Sequence, residues 1–179
     1  MTRAARRVLA VCALAILTGC AGEGDAAVTA GCRPVERLPD SGHNHLAADA
    51  DPPVPYSTTP PTSGWHYRGA DRLEEVLGVH EEALEEPEHV SALAIGGVVV
   101  SHRGLDPATR DELEALAGGL DRPVAVTPYA ALDDGEVVLT AWATRQVCDG
   151  FDAVDVTAFI EEHADEEPDF EMSGEDHEH

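Results

Sequence analysis

The sequence predicts an α+β fold: a small mixed sheet with helices on one side, preceded by a long loop section rich in proline and glycine. Two observations support this prediction. Short apolar runs at residues 97–102, 123–127 and 136–142 are typical of buried strands. Apolar residues at helical spacing follow the first and the last of these runs. The predicted element order is therefore β-α-β-β-α.

The ends of these elements carry their own signals. Asp106 and Pro107 match the N-cap and the first residue of a helix, and glycines at 118–119 end it. Residues 133–135, Asp-Asp-Gly, form a turn before the last strand. The apolar faces consist of Leu113, Leu116 and Ala117 in the first helix and of Val156, Phe159 and Ile160 in the closing helix.

The section before the first strand has a different character. Prolines are frequent in residues 32–70, which argues against a regular helix or a central strand there. Residues 71–86 place leucines and a valine near helical spacing among glutamates, which predicts a short amphipathic helix that ends at Pro87.

The N-terminus has the pattern of an export signal. Three arginines precede ten uncharged residues, 8–17, which cover only about half of a ~30 Å hydrocarbon core. The end of this segment, Leu17-Thr18-Gly19-Cys20, resembles the lipobox of bacterial lipoproteins. This resemblance implies that Cys20 is lipidated after cleavage before it and that the lipid anchors the protein to the membrane. The alternative is an ordinary signal peptide with an incidental cysteine.

This pattern gives a domain organisation and a location. We expect a signal peptide at residues 1–19, a lipidated tether at 20–31, a globular domain at 32–164 and a disordered acidic tail at 165–179. The lipid is then the membrane contact, and the domain lies at the outer face of the cytoplasmic membrane.

Two cysteines remain after cleavage, Cys32 and Cys148, since Cys20 carries the lipid. In an oxidising compartment such a pair predicts a disulfide, and closing so long a loop is worth roughly 4–5 kcal/mol. Two unpaired thiols are the alternative. Metal binding by this pair is disfavoured because no Cys-x-x-Cys spacing is present.

The charge of the chain excludes several functions. The full sequence carries a net charge of −24, and the mature part has 8 arginines against 35 acidic residues, a balance of −27. No lysine is present, so chemistry that needs a phosphate-loop or Schiff-base lysine is excluded. Nucleic acid binding is also disfavoured because phosphate contacts need a basic face. A protein or small-molecule partner cannot be named from charge.

One stretch is distinctive enough to indicate a family. Residues 56–66 contain a tyrosine followed by Pro-Pro-Thr-Ser-Gly-x-His, and a histidine lies upstream. With the valine-rich strand and the later Ala-Trp, this pattern resembles a bacterial domain-of-unknown-function family, number 3105, over roughly residues 40–163. The matching motif residues are Tyr56, Pro60, Pro61, Thr62, Ser63, Gly64 and His66.

The chain departs from that family at a second motif. Members have His-x-Leu-Glu-His-Gly where this sequence has residues 91–96, Ser-Ala-Leu-Ala-Ile-Gly. The family's histidine and carboxylate cluster resembles a metal or acid–base site, and here its ionisable residues are replaced. Two interpretations remain: His89 and His102 compensate for the loss, or the chain is a degenerate member that retains the scaffold.

The remaining histidines are candidate ligands of a metal. His43, His45 and His66, with His89 and His102, supply imidazoles that suit Cu or Zn in an exported protein. The alternative is that His45 and His66 form hydrogen bonds that brace the proline-rich loop. The tail histidines, His177 and His179, offer only a compositional signal.

Three functions follow, in descending order of support. The first is a non-enzymatic binding or structural module with no cofactor. The second is an extracytoplasmic Cu- or Zn-binding protein that uses the candidate histidines. The third is a hydrolase, for which only Ser63 offers a nucleophile, and its Thr-Ser-Gly setting is typical of a turn instead.

Overall fold

The computed structural model describes residues 31–47, 50–68 and 75–165. These residues form eight strands and three helices. The strands are β1 Glu36–Arg37, β2 His43–Leu46, β3 Gly64–Tyr67, β4 Gly78–Val79, β5 Val98–His102, β6 Val124–Pro128, β7 Val137–Ala141 and β8 Thr144–Cys148. The helices are α1 Glu86–Ala94, α2 Pro107–Gly119 and α3 Ala153–His163.

Six strands form one mixed sheet in the order β1-β8-β7-β5-β6-β4. β5, β6 and β4 run parallel to one another, whereas β7, β8 and β1 join by antiparallel pairing. Both central strands, β5 and β7, are buried along their whole length, because apolar β-branched side chains suit a sheet that is covered on both faces. The sheet confirms the predicted α+β class.

Helices cover the two faces of this sheet unequally. Val98 and Val100 pack against α2 and α3, the two helices that the sequence predicted on a single side. Val99, on the opposite face, packs against α1 through Ala92 and Leu93. The period-two alternation of a strand therefore divides the valines of β5 between two apolar clusters.

The prediction for residues 71–86 was wrong. Residues 75–85 contain a turn and β4, and the helix starts only at Glu86, with Pro87 in its first turn. Proline fits that position because its missing N–H has no intrahelical partner there, so Pro87 begins a helix that it was expected to end. Residues 71–74 lie outside the described residues.

Strand β8 was also not predicted from the sequence. Residues 144–148 read Thr-Arg-Gln-Val-Cys, which lacks a clear apolar alternation. The turn before it places Ala143 at φ 49°, a conformation that glycine or asparagine would have signalled. Asp106 and Asp152 do cap α2 and α3 through their carboxylates, as expected for α2.

The predicted disulfide is present between Cys32 and Cys148, with an S–S distance of 1.98 Å. Cys148 ends β8 and is fully buried in the main apolar cluster. The bridge therefore attaches the start of the loop section to the sheet. Within the three described ranges, none of the helices is long and apolar enough to cross a membrane.

Candidate metal site

A second, two-stranded sheet brings three histidines together. β2 and β3 pair in parallel, with His43 opposite Gly64 and His45 opposite His66. Residues two apart in a strand share a face, so His43 and His45 project to the same side, where His66 joins them. The sequence named these residues as candidates, but their convergence depends on a pairing between segments about twenty residues apart.

The three imidazoles are close enough to share one ion. One ring nitrogen from each of His43, His45 and His66 lies within 4.8 Å of the others. The ring centroids are 4.5 Å apart for His43 and His45, 4.5 Å for His43 and His66, and 4.9 Å for His45 and His66. His66 is buried, whereas the other two rings are partly exposed. The cluster thus has a buried base and an accessible side.

The surroundings keep these rings neutral at pH 7. The pKa of His66 is lowered to about 4, chiefly by burial; its two histidine neighbours contribute to this lowering, and a backbone hydrogen bond opposes it. Burial also lowers the pKa of His43 and of His45, and the Arg68 charge adds to both shifts. Neutral imidazole is the form that binds a metal.

The proton on His66 can be assigned from its partner. Nδ1 of His66 lies 2.8 Å from the carbonyl oxygen of Gly64, which can only accept, so Nδ1 carries the proton and donates it. Nε2 then has a lone pair available for a ligand. A backbone carbonyl that orients the second nitrogen is the usual support of a metal-binding histidine.

The proline-rich motif holds this arrangement in place by hydrogen bonds. Ser63 Oγ accepts from the Ser41 N–H at 2.8 Å, and the Tyr56 hydroxyl donates to the carbonyl of Trp65. Gly64 adopts φ +122°, a backbone conformation that side-chain-bearing residues rarely take. Ser63 is therefore part of the scaffold between the two strands.

Three residues around the cluster were not identified from the sequence. The indole of Trp142 lies edge-on to His43 at 6.0 Å and to His66 at 5.9 Å between ring centroids. Its Nε1–H donates to Asp40 at 3.2 Å. Arg68 places a guanidinium nitrogen 3.0 Å from His45 Nδ1. No sequence signal links Trp142 to the histidines, because it comes from the turn after β7, far along the chain.

The other two candidate histidines lie elsewhere. His89, on α1, is fully buried, and its Nε2 lies 2.8 Å from Thr140 Oγ1. That hydroxyl donates to the Val99 carbonyl, so Nε2 carries the proton and donates to Thr140. His102, at the end of β5, lines a cleft of about 410 Å³ with His80, Arg110 and Glu114. Among the described residues, the structure groups neither of them with the other three, so they do not complete this site.

Other predicted features fall outside the described residues. These are Cys20 with its signal and tether, and the tail histidines His177 and His179. Ser91, the first position of the replaced motif, is described: its Oγ accepts from the Tyr67 N–H at 3.0 Å and donates to the Pro87 carbonyl at 2.7 Å. This serine therefore links α1 to β3, behind the histidine cluster.

The fold and the site together define a small α+β domain with a three-histidine cluster on an accessory two-stranded sheet. The family model described as "Protein of unknown function (DUF3105)" matches residues 47–177, and the chain belongs to this family. His66 lies within the match, whereas His43 and His45 precede it. Comparison with curated proteins and with solved structures finds no match.

Proposed function

We propose that this protein is a non-enzymatic, extracytoplasmic metal-binding lipoprotein that holds one Cu or Zn ion through His43, His45 and His66. The observation that carries the proposal is the approach of one nitrogen from each ring to within 4.8 Å of the others. Three imidazoles whose nitrogens lie this close to one another are a donor set suited to a divalent transition metal.

The distances fit such an ion after a small adjustment. Zn–N bonds of about 2.1 Å at tetrahedral angles place ligand nitrogens about 3.5 Å apart. The cluster needs to contract by roughly 1 Å, which small ring rotations supply. Three protein ligands leave a fourth position for an exogenous group. The Irving–Williams order makes Cu(II) the tighter-bound of the two metals.

Two further features support the location. The Cys32–Cys148 disulfide is typical of an oxidising compartment. The lipobox-like sequence before Cys20 supports a lipid anchor, which accounts for membrane attachment of a chain whose mature part is strongly acidic. In this proposal the lipid is the only membrane contact, and the metal site belongs to the exposed domain.

The alternative role of the histidines is structural. His45 and His66 each form a hydrogen bond that braces the β2–β3 section, to Arg68 and to Gly64. Bracing and metal binding differ in what they require. Bracing makes no use of Nε2 of His66, whereas metal binding needs that atom and a ring from His43.

Equilibrium dialysis of the detergent-solubilised lipoprotein against Zn(II) and Cu(II) tests the proposal. The chain used carries His177→Ala and His179→Ala so that the tail contributes no imidazole. We expect one ion per chain, and we expect His66→Ala to weaken binding by at least the ~10–100-fold that loss of an outer-shell partner costs.

His80→Ala, which removes a histidine outside the cluster, is the matched control and should bind as tightly as the parent chain. If the parent chain takes up no metal, or if His66→Ala binds as well as the control, the metal-binding function is excluded and bracing remains.

A further inference from the structure

The hydrogen bond between Arg68 and His45 fixes the protonation of that ring. A guanidinium has only donors, so the Arg68 nitrogen 3.0 Å from Nδ1 of His45 donates to it. Nδ1 must then present its lone pair, and the single proton of the neutral ring lies on Nε2. In the described state, His45 is therefore held as the Nε2–H tautomer.

Metal binding by His45 is incompatible with this hydrogen bond, whichever nitrogen takes the ion. An ion on Nδ1 occupies the lone pair that Arg68 uses. An ion on Nε2 moves the proton to Nδ1, where the ring has no lone pair left to accept from the guanidinium. Loading of the cluster therefore requires Arg68 to leave His45.

The released guanidinium would lie beside a concentrated positive charge. Three neutral imidazoles leave a bound Zn or Cu ion with its full charge, and the charge of Arg68 already acts on both His43 and His45. The carboxylate of Asp40 offsets part of this charge at His43, and both of its oxygens already accept hydrogen bonds, from the Gly42 N–H at 2.9 Å and from the Trp142 indole at 3.2 Å. An added anion would offset this charge and fill the fourth metal position.

We propose that Arg68 gates the metal site: metal binding displaces it from His45, and the freed guanidinium and the metal together bind a small anion, a carboxylate or an oxyanion. This inference rests on the proposed metal-binding function. A planar guanidinium matches the paired oxygens of such an anion, and the remaining metal position takes one of them. Arg68 therefore binds the anion in the loaded state and competes with the metal for His45 in the unloaded state.

The first arm of the test measures metal affinity. Zn(II) competition with a chromophoric chelator compares the parent chain, Arg68→Gln and Arg110→Gln, all with the tail histidines replaced. Arg110 is the matched control because it removes the same charge from α2, where it pairs with Glu114. We expect Arg68→Gln to bind Zn(II) about 10-fold more tightly, the scale of one hydrogen bond from a charged donor, and Arg110→Gln to match the parent chain.

The second arm measures anion affinity. The Cu(II)-loaded chains are titrated with acetate and with azide, and binding is followed by the visible absorption of the copper. We expect the parent complex to bind both anions about 10-fold more tightly than the Arg68→Gln complex, because one charge-assisted contact is lost. A purely structural arginine would leave the anion affinity of the loaded site unchanged.

The outcomes separate the two proposals. Equal or weaker Zn(II) binding by Arg68→Gln, with a parent chain that binds Zn(II), overturns the gate and leaves the metal site standing. Equal anion affinities in the parent and variant complexes overturn the anion site. Failure of every chain to bind metal overturns the proposed function, and this inference with it.

Discussion

The two sheets of this protein are stabilised in different ways. In the six-stranded sheet, β5 and β7 are fully buried, and apolar packing of α2 and α3 against one face provides the main core. In the β2–β3 sheet, hydrogen bonds such as Ser41 to Ser63 and Tyr56 to Trp65 fix the chain. The difference teaches that the large sheet is the scaffold and that the small sheet carries the polar groups available for chemistry.

Two buried histidines show the same contrast at the level of single side chains. His89 and His66 are 0% and 2% exposed, and burial lowers the pKa of each, to about 3 and about 4. His89 lies between α1 and the large sheet, where its hydrogen-bond partner is Thr140. His66 faces two further imidazoles. Burial alone therefore does not make a histidine a candidate ligand, whereas the proximity of two other imidazoles makes His66 one.

Removing the disulfide should have the largest effect on stability, because it breaks the covalent connection between the loop section and the scaffold. The bridge spans 116 residues of sequence. We expect Cys32→Ser with Cys148→Ser to lower the free energy of unfolding by about 4–5 kcal/mol through the chain entropy of the unfolded state. Guanidinium denaturation of the oxidised parent chain and of the double variant measures this difference.

A thiol assay is the control for that experiment. Without reductant, Cys32 and Cys148 of the unfolded parent chain should not react with a thiol reagent, and reductant should expose both. Reaction of both cysteines before reduction would contradict the bridge.

The contrast between the sheets also explains what the sequence revealed. β5, β6, β7, α2 and α3 were predictable because apolar periodicity and capping residues are local signals, and burial in the scaffold follows them. The disulfide was predictable because the predicted export and the cysteine count restrict the alternatives. These features all belong to the six-stranded sheet, to the helices that cover it or to the disulfide that attaches the loop section to it.

Most of what was missed depends on non-local contacts. Pro87 is the exception, because local signals mark it as a helix start: it lies in the first turn of α1, and the Glu88 carboxylate accepts from the Glu85 N–H. β2 and β3 are four residues each and pair in parallel across a proline-rich loop. The sequence therefore supplied His43, His45 and His66 as candidates, whereas the grouping of these three, and the exclusion of His89 and His102 from it, required the structure.

A pair of glycine substitutions, one in the small sheet and one in a helix that covers the large sheet, should change the stability by smaller amounts. Gly64 adopts φ +122° between the strands of the small sheet, so Gly64→Ala should cost of order 1–3 kcal/mol and weaken metal binding. Gly118 lies exposed in α2 with open space around its Cβ position. Gly118→Ala should stabilise the chain by roughly 0.5–1 kcal/mol and leave metal binding unchanged.

Thermal and guanidinium unfolding, with metal affinity measured on the same samples, check this pair. Equal effects of the two substitutions on metal affinity would show that the small sheet has no special role in the site.

The substitution of His89 should have the smallest effect on the pH dependence near neutral pH. Its effect on the unfolding free energy should become visible on acidification. Because burial lowers the pKa of His89 to about 3 in the folded state, below the ordinary value of 6.5, the unfolded chain binds the proton first as pH falls. The stability that His89 contributes is complete above pH 6.5 and decreases toward pH 3. Unfolding free energies should fall less steeply between pH 6.5 and 4.5 in His89→Gln than in the parent chain.

His80→Gln is the control, since this partly exposed side chain lies in the cleft beside His102. It should retain the slope of the parent chain. An identical slope in His89→Gln would mean that the buried ring is not the origin of the pH dependence.

X-ray absorption at the zinc edge of the Zn-loaded protein, with its tail histidines intact, tests the central claim most directly. The claim that His43, His45 and His66 form the site predicts three imidazole nitrogens at about 2.0–2.1 Å and one further light ligand. The His66→Ala chain should lose this signature. A shell of carboxylate oxygens, or an unchanged spectrum in His66→Ala, would place the metal elsewhere and contradict the claim.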